Sequence, residues 1–326
     1  MDRRTFIGAV AAGMIAAPLA ASAQTATTVR RIGVLSAGAR PTPAEFQEEC
    51  APLRALGWVE GQNLLLEQRY ANGKAELLRP LAEELVRLKV EIIVTSGTDA
   101  TLAAKNATNT IPIVFRAAGD PVRTGLVTSL ARPGGNITGS SRVGPEIDAK
   151  RLALLRELLP AVQRVGVLEN STNPYFRAVR KEFEQACRSI GIQPIIIEVA
   201  AASELENAIA EMASRRAQAL FVAGDSLFSA NLVPIMSAAL RYVLPTLATD
   251  KEMLEAGALL SYSGNEAEES QRYAAFVDRI LRGAKPADLP IEQPTKFELG
   301  INLKTAKALG ITVPQTLLLR ADEVIQ

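Results

Sequence analysis

Arg31-Ile32-Gly33-Val34-Leu35 and, 133 residues later, Arg164-Val165-Gly166-Val167-Leu168 spell the same short apolar strand twice. Ile111-Pro112-Ile113 and Leu244-Pro245-Thr246 repeat that spacing of 133, and Leu56-Gly57-Trp58 and Ile190-Gly191-Ile192 keep it to within one residue. One such match is chance; three in register indicate two copies of one plan. Around these anchors, short β-branched runs alternate with amphipathic stretches, the pattern of βα units in a parallel sheet. The first copy predicts strands at Arg31–Ser36, Leu64–Tyr70, Glu91–Ser96, Ile111–Phe115 and Asn136–Ser140. The second predicts them at Arg164–Glu169, Ile195–Val199, Ala219–Ala223, Pro245–Ala248 and Ala258–Tyr262. The runs are almost wholly apolar rather than alternating, as when helices cover both sheet faces. Between them lie helices such as Lys74–Leu88, with Leu77, Leu81, Leu85 and Leu88 on one stripe.

The expected fold is therefore α/β: two doubly wound parallel-sheet lobes joined by a hinge of several crossings. After the second copy come a helix at Glu266–Leu281, closed by Arg282-Gly283, a strand at Lys296–Ile301 and a last helix at Lys304–Leu309. This tail must pack back onto the lobes, with crossings near Gly139, Ser263 and Pro294. Residues 29–139 with 264–292 form one lobe and 140–263 with 293–326 the other.

Composition narrows the chemistry. Among 326 residues, 36 Lys and Arg face 35 Asp and Glu, which gives no basic surplus for nucleic acid or anionic membranes. There is no histidine, so Ser-His-Asp and Cys-His catalysis and histidine-ligated zinc are excluded. Cys50 and Cys187 stand alone without a C-x-x-C pair, so the default is two buried thiols. No phosphate-binding P-loop and no G-x-G-x-x-G after a strand supports a nucleotide, and neither cofactor nor metal is expected. Gly224-Asp225-Ser226-Leu227 matches a serine-hydrolase signature, but it lies in the second copy of a chain without the histidine base.

The N-terminus reads as an export signal: paired Arg3-Arg4, an apolar stretch from Phe6 to Leu19, then Ala21-Ser22-Ala23, with cleavage expected after Ala23. Arg3-Arg4-x-Phe6-Ile7 resembles a twin-arginine signal, although Asp2 and Gly8 depart from its usual flanks. Its roughly 14 apolar residues fall short of the ~20 that span a bilayer. The expected location is the periplasm.

In a parallel sheet the ligand binds beyond the carboxyl ends of the strands. The loops there hold Ser36, the run Ser96-Gly97-Thr98, and Asp120 in the first copy, and Asn173, Tyr175, Asp225 and Asp250 in the second. Ser96, Gly97 and Thr98, at a helix N-terminus, suit an anion or carboxylate. Asp225 and Asp250 opposite suit an amine, and Tyr175 suits stacking on an apolar part. On this reading Thr98→Ala or Asp225→Ala weakens binding without unfolding the protein. The competing role for each Ser, Thr, Asn or Asp is a helix cap.

Longer stretches carry a family resemblance. Gly57-Trp58-Val59-Glu60-Gly61-Gln62-Asn63, Thr110–Phe115, Gly119-Asp120-Pro121-Val122, Ser129–Gly139, Glu292–Leu299 and Asn302–Gly310 resemble the ABC transporter substrate-binding family, with its type I periplasmic-binding-protein fold. The resemblance runs from about Val29 to Gln326. It implies a monomeric, non-enzymatic, extracytoplasmic receptor that closes on a small solute and delivers it to a membrane permease. Some relatives take amino acids, including aromatic ones. Two alternatives stay open: a sensory module feeding a signalling receptor, and an enzyme using the Asp225 and Asp250 carboxylates. A DNA-binding repressor of the same fold would need an N-terminal helix-turn-helix that this chain lacks.

Overall fold

The computed structural model describes residues 29–142 and 145–326. The expected export signal and its cleavage site lie outside the described residues. Twelve strands follow in chain order: β1 (Arg30–Ser36), β2 (Leu64–Tyr70), β3 (Ile92–Ser96), β4 (Ile113–Ala118), β5 (Ile137–Ser141), β6 (Arg164–Asn170), β7 (Gln193–Val199), β8 (Ala219–Val222), β9 (Thr246–Ala248), β10 (Leu260–Gly264), β11 (Phe297–Asn302) and β12 (Glu323–Ile325). They form two sheets, one ordered β2-β1-β3-β4-β5 and the other β12-β11-β10-β9-β8-β6-β7. The two copies share one winding: β2-β1-β3-β4-β5 is matched by β7-β6-β8-β9-β10. The repeated Arg-x-Gly-x-Leu stretches are β1 and β6, each second from the edge in its copy. The small Gly33 and Gly166 let helices pack close, since a Cβ would press on Leu85 and Met212 respectively.

Each sheet is buried on both faces. Leu35, Ile93, Phe115 and Leu85 pack on one side of the first sheet. On the other, the helix Glu266–Leu281 lays Tyr273, Phe276, Val277 and Ile280 against Ile32, Val94 and Val114. The second sheet is likewise packed between a cluster containing Phe228, Ile209 and Met212 and one containing Phe221, Leu152 and Ile301. Burying such side chains, at about 1.5–3 kcal/mol each, is what holds two sheets with so little propensity for independent strands.

Two details depart from the expectation. The stretch Lys74–Leu88 is a 3-10 turn at Ala75–Leu77 followed by an α-helix at Leu78–Arg87, and its inward face is Leu78, Ala82 and Leu85. Pro80 has no N–H to close a turn on Glu76, so the helix starts late and Leu77 swings out to solvent. The second sheet is also not wholly parallel: β11 runs antiparallel to β10. After β10 the chain crosses to the first sheet and returns from the cleft side, so β11 must enter the sheet from the end where its neighbours leave.

The crossings are tied together. Ser141 N donates to Glu292 O at 2.9 Å and Glu292 N to Gly139 O at 3.1 Å, while Asn265 N reaches Lys296 O at 3.3 Å. Crossing segments bonded side by side bend about one axis and resist twist.

Candidate functional site

The carboxyl ends of both sheets face one cavity of about 660 Å³. Its walls come from the loops after β1, β3 and β4 on one lobe, from those after β6, β8 and β9 on the other, and from the crossings. Ser36, Ser96, Gly97, Thr98, Asn173, Tyr175, Asp225 and Asp250 all line it. Asp120 does not. Its carboxylate accepts from Arg123 N at 3.0 Å and pairs with Arg123 Nε at 3.0 Å, closing the turn that follows Gly119.

Many of these side chains are caps as well as wall. Asp225 precedes the short helix Ser226–Ser229 and is 6% exposed. Its Oδ1 accepts from Asn170 Nδ2 and from Leu227 N, both at 2.9 Å, and its Oδ2 from Asn173 Nδ2 at 2.8 Å. Asn173 in turn accepts from Tyr175 N at 3.0 Å and caps the helix Pro174–Ser189. Burial, then the neighbouring charge of Asp99, pushes the Asp225 carboxyl up to about 6 against these hydrogen bonds. Thr98 Oγ1 accepts from Gly119 N at 3.0 Å and Ser36 Oγ from Gly38 N at 3.1 Å. The expectation that Thr98→Ala and Asp225→Ala leave the fold intact is therefore revised: each removes a partner from buried backbone or amide groups. Gly97 is at φ +84°, which a Cβ would disfavour, so its glycine is set by the turn into the helix Thr98–Ala107.

Several wall residues had no sequence signal. Arg116 and Ala117 stand on an irregularity where the β4–β5 register shifts between Phe115 and Ala118, and Ala117 is at φ +55°. The shift aims Arg116 at the cavity, within 4.0 Å of Glu49. Arg142 follows the first crossing and forms an ion pair with Asp250 while its Nε donates to Ala117 O at 3.3 Å. Asp99 is desolvated between the lobes, which raises its carboxyl pKa, with the bond from Ser226 pulling the other way. Glu252 is raised by desolvation first and then by Asp250, and Glu266 by desolvation, then Glu252, then Asp250. Phe46, Tyr70, Tyr273 and Phe297 add aromatic wall.

The lobes touch across the cavity. Ser226 Oγ donates to Asp99 Oδ2 at 2.8 Å, Arg123 pairs with Glu182, and the Tyr175 ring lies against Gly119. Cys50 and Cys187 are buried in separate lobes, and burial pushes their thiols up to about 11 and about 12. Among the described residues no group of three His, Cys, Asp or Glu is placed to hold a metal ion, and no helix is long and apolar enough to cross a membrane.

Two sheets of one winding that share an enclosed polar cavity at their strand ends define a two-lobed solute-binding protein. The family model described as ABC transporter substrate binding protein matches residues 49–325, and the chain belongs to that family. The tyrosine-binding protein of Clostridioides difficile (strain R20291) is 26% identical over 259 residues, covering 79% of this chain and 74% of that one. A Streptococcus pneumonia ABC domain solved in complex with L-Trp is 25% identical, covers 91% of this chain and 100% of its own, and superposes with a TM-score of 0.84. The ligand-free, open structure of a Clostridium difficile substrate binding protein with adhesive properties is 24% identical over the same shares, with a TM-score of 0.63.

Proposed function

We propose that this chain is the extracytoplasmic receptor of an ABC importer, closing its lobes over an amino acid and delivering it to the permease. The observation that carries the choice of solute is the make-up of the cavity wall. Ten carboxylate side chains line it against four arginines: Glu45, Glu48, Glu49, Asp99, Asp148, Asp225, Asp250, Glu252, Glu266 and Glu269 against Arg40, Arg116, Arg142 and Arg151. Three of those arginines already face a carboxylate, namely Arg116, Arg142 and Arg151. A solute that is only an anion meets a repulsive wall; one bearing an ammonium group offsets the acidic surplus. The aromatic wall suits a flat apolar side chain beside that charge. Relatives whose solutes are tyrosine and tryptophan support the same class.

Lobe closure is the means. A solute that touches both lobes favours the closed form by the contacts it makes only there. The better superposition on the tryptophan-loaded relative than on the open one, at nearly equal identity, supports reading this structure as the closed form.

The test is a thermal-shift screen of the twenty L-amino acids beside benzoate. A solute at 1,000 times its Kd adds about 4 kcal/mol to apparent stability, so a true solute stands out. Stabilisation by an amino acid and none by benzoate is the expected result. Stabilisation by benzoate alone would overturn the zwitterion reading, and none by any amino acid would overturn the proposal.

A further inference from the structure

Four glycines of the cavity wall, Gly38, Gly119, Gly224 and Gly264, have no left-handed backbone to require glycine, and Gly119 and Gly224 are the two most crowded. Gly97 needs its left-handed φ, but Gly119 and Gly224 are not left-handed. What distinguishes them is what lies over their bare Cα. A Cβ on Gly119 would fall 2.2, 2.5 and 2.7 Å from Cδ2, Cε2 and Cγ of Tyr175, a residue of the opposite lobe. A Cβ on Gly224 would fall 2.0 Å from Arg142 Nη1 and 2.7 Å from Asp250 Oδ2. The two cases differ in how easily the neighbour yields. Arg142 presents the end of a long, flexible chain. Tyr175 presents the root of its ring, which packs edge-on against Phe176 with centroids 5.6 Å apart. Its backbone is fixed by the Asn173 cap.

We propose that Gly119 is the residue that permits closure: the Tyr175 ring docks flat on its backbone, and any side chain at position 119 holds the lobes apart. The contact joins two elements that lie on opposite walls, the turn after β4 and the first turn of the helix Pro174–Ser189. Beside it, on the same rim, sits the Arg123–Glu182 ion pair. The three heavy atoms nearest to that Cβ all belong to Tyr175, so a methyl group at 119 meets the opposite lobe first. An alanine there is expected to leave the fold of each lobe intact and to act on their approach. The inference rests on the reading that the lobes open and close.

The test needs no solute. Arg123→Cys with Glu182→Cys places two thiols on the rim, outside the cavity wall, where a short bis-maleimide joins them only in the closed form. Cys187 is buried, and Cys50, which borders the cavity, is replaced by alanine in every variant so that only the introduced pair reports. Gly119→Ala in this background is expected to slow cross-linking roughly ten-fold or more, the scale of forcing one carbon into a filled contact. Its far-UV circular dichroism and Tm are expected to stay close to the parent's. Adding Tyr175→Ala, which empties the space, is expected to restore the parent rate. A parent that cross-links and a Gly119→Ala variant that cross-links equally fast would overturn this inference and leave solute capture by closure standing. So would a slow Gly119→Ala variant that Tyr175→Ala fails to rescue. A cysteine pair that never cross-links would instead sink the closure reading itself.

Discussion

Replacing Asp225 with asparagine separates the cost of its buried charge from the value of its hydrogen bonds. The carboxyl sits at about 6 in the folded chain against 3.8 as its ordinary value. Between those pH values the folded state keeps a proton that the unfolded state has released. Stability from this group is therefore fully present below about pH 4 and is lost as pH rises through about 6. A difference of some two pKa units is worth about 3 kcal/mol, and at 6% exposure solvent does little to screen it. In Asp225→Asn the retained oxygen keeps the bonds from Asn170 and Leu227, but the new amide faces the amide of Asn173. Asn173 cannot turn over, because its own oxygen caps the helix at Tyr175 N. That donor–donor meeting costs about 1–3 kcal/mol.

The two effects nearly cancel at pH 7, and only the hydrogen-bond loss remains at pH 4. The variant is expected to match the wild type at neutral pH and to melt several degrees lower at pH 4, with the gap changing by roughly 5–10 °C across the range. Thermal unfolding of both proteins at half-unit steps from pH 4 to pH 7 measures it. A gap that stays constant with pH would refute the reasoning, since the charge would then carry no folding cost.

Gly139→Ala is expected to be far more damaging than Gly119→Ala, although both add one methyl group. At Gly139, φ is +148° and a Cβ would meet Phe115 O at 2.0 Å, backbone against backbone, so a loss of roughly 2–4 kcal/mol should appear in urea unfolding. Arg142→Ala strips Asp250 of its ion-pair partner beside Glu252 and Glu269; because both side chains keep some solvent, the expected loss is about 1–2 kcal/mol, read by the same method.

The sheets were legible because their physics is local. A strand covered on both faces must be almost wholly apolar, so the run Ala-Leu-Phe-Val of Ala219–Val222 stands out within the expected Ala219–Ala223, and the helix Glu266–Leu281 is marked by its closing Arg282-Gly283. The repeat then gave the winding. What stayed hidden depends on where the chain has already been. The antiparallel entry of β11 follows from three crossings, and the three-residue β12 and four-residue helix Gln315–Leu318 are too short to carry a period. Arg116 and Arg142 were invisible for a related reason. Arginine is common on any surface, and only the β4–β5 register shift and the first crossing turn these two inward.

The choice between cap and ligand contact, which the sequence left open, is better framed as a count of unused hydrogen-bonding capacity. Strand ends are where helices begin, so wall and cap are the same positions. A hydroxyl that accepts from a backbone N–H still has its own proton to give. Ser36 and Thr98 are in that state, each accepting from the N–H of a glycine, so both retain a donor for a solute carboxylate. A carboxylate has no such second function. Asp225 accepts three times and has little left for an ammonium group. Asp250 accepts only from side chains, Arg142 and Thr249, and no backbone N–H of the helix it precedes is bonded to it. On the proposed function a solute ammonium group is expected at Asp250, where no helix cap is broken, because engaging Asp225 would compete with the three hydrogen bonds that it accepts.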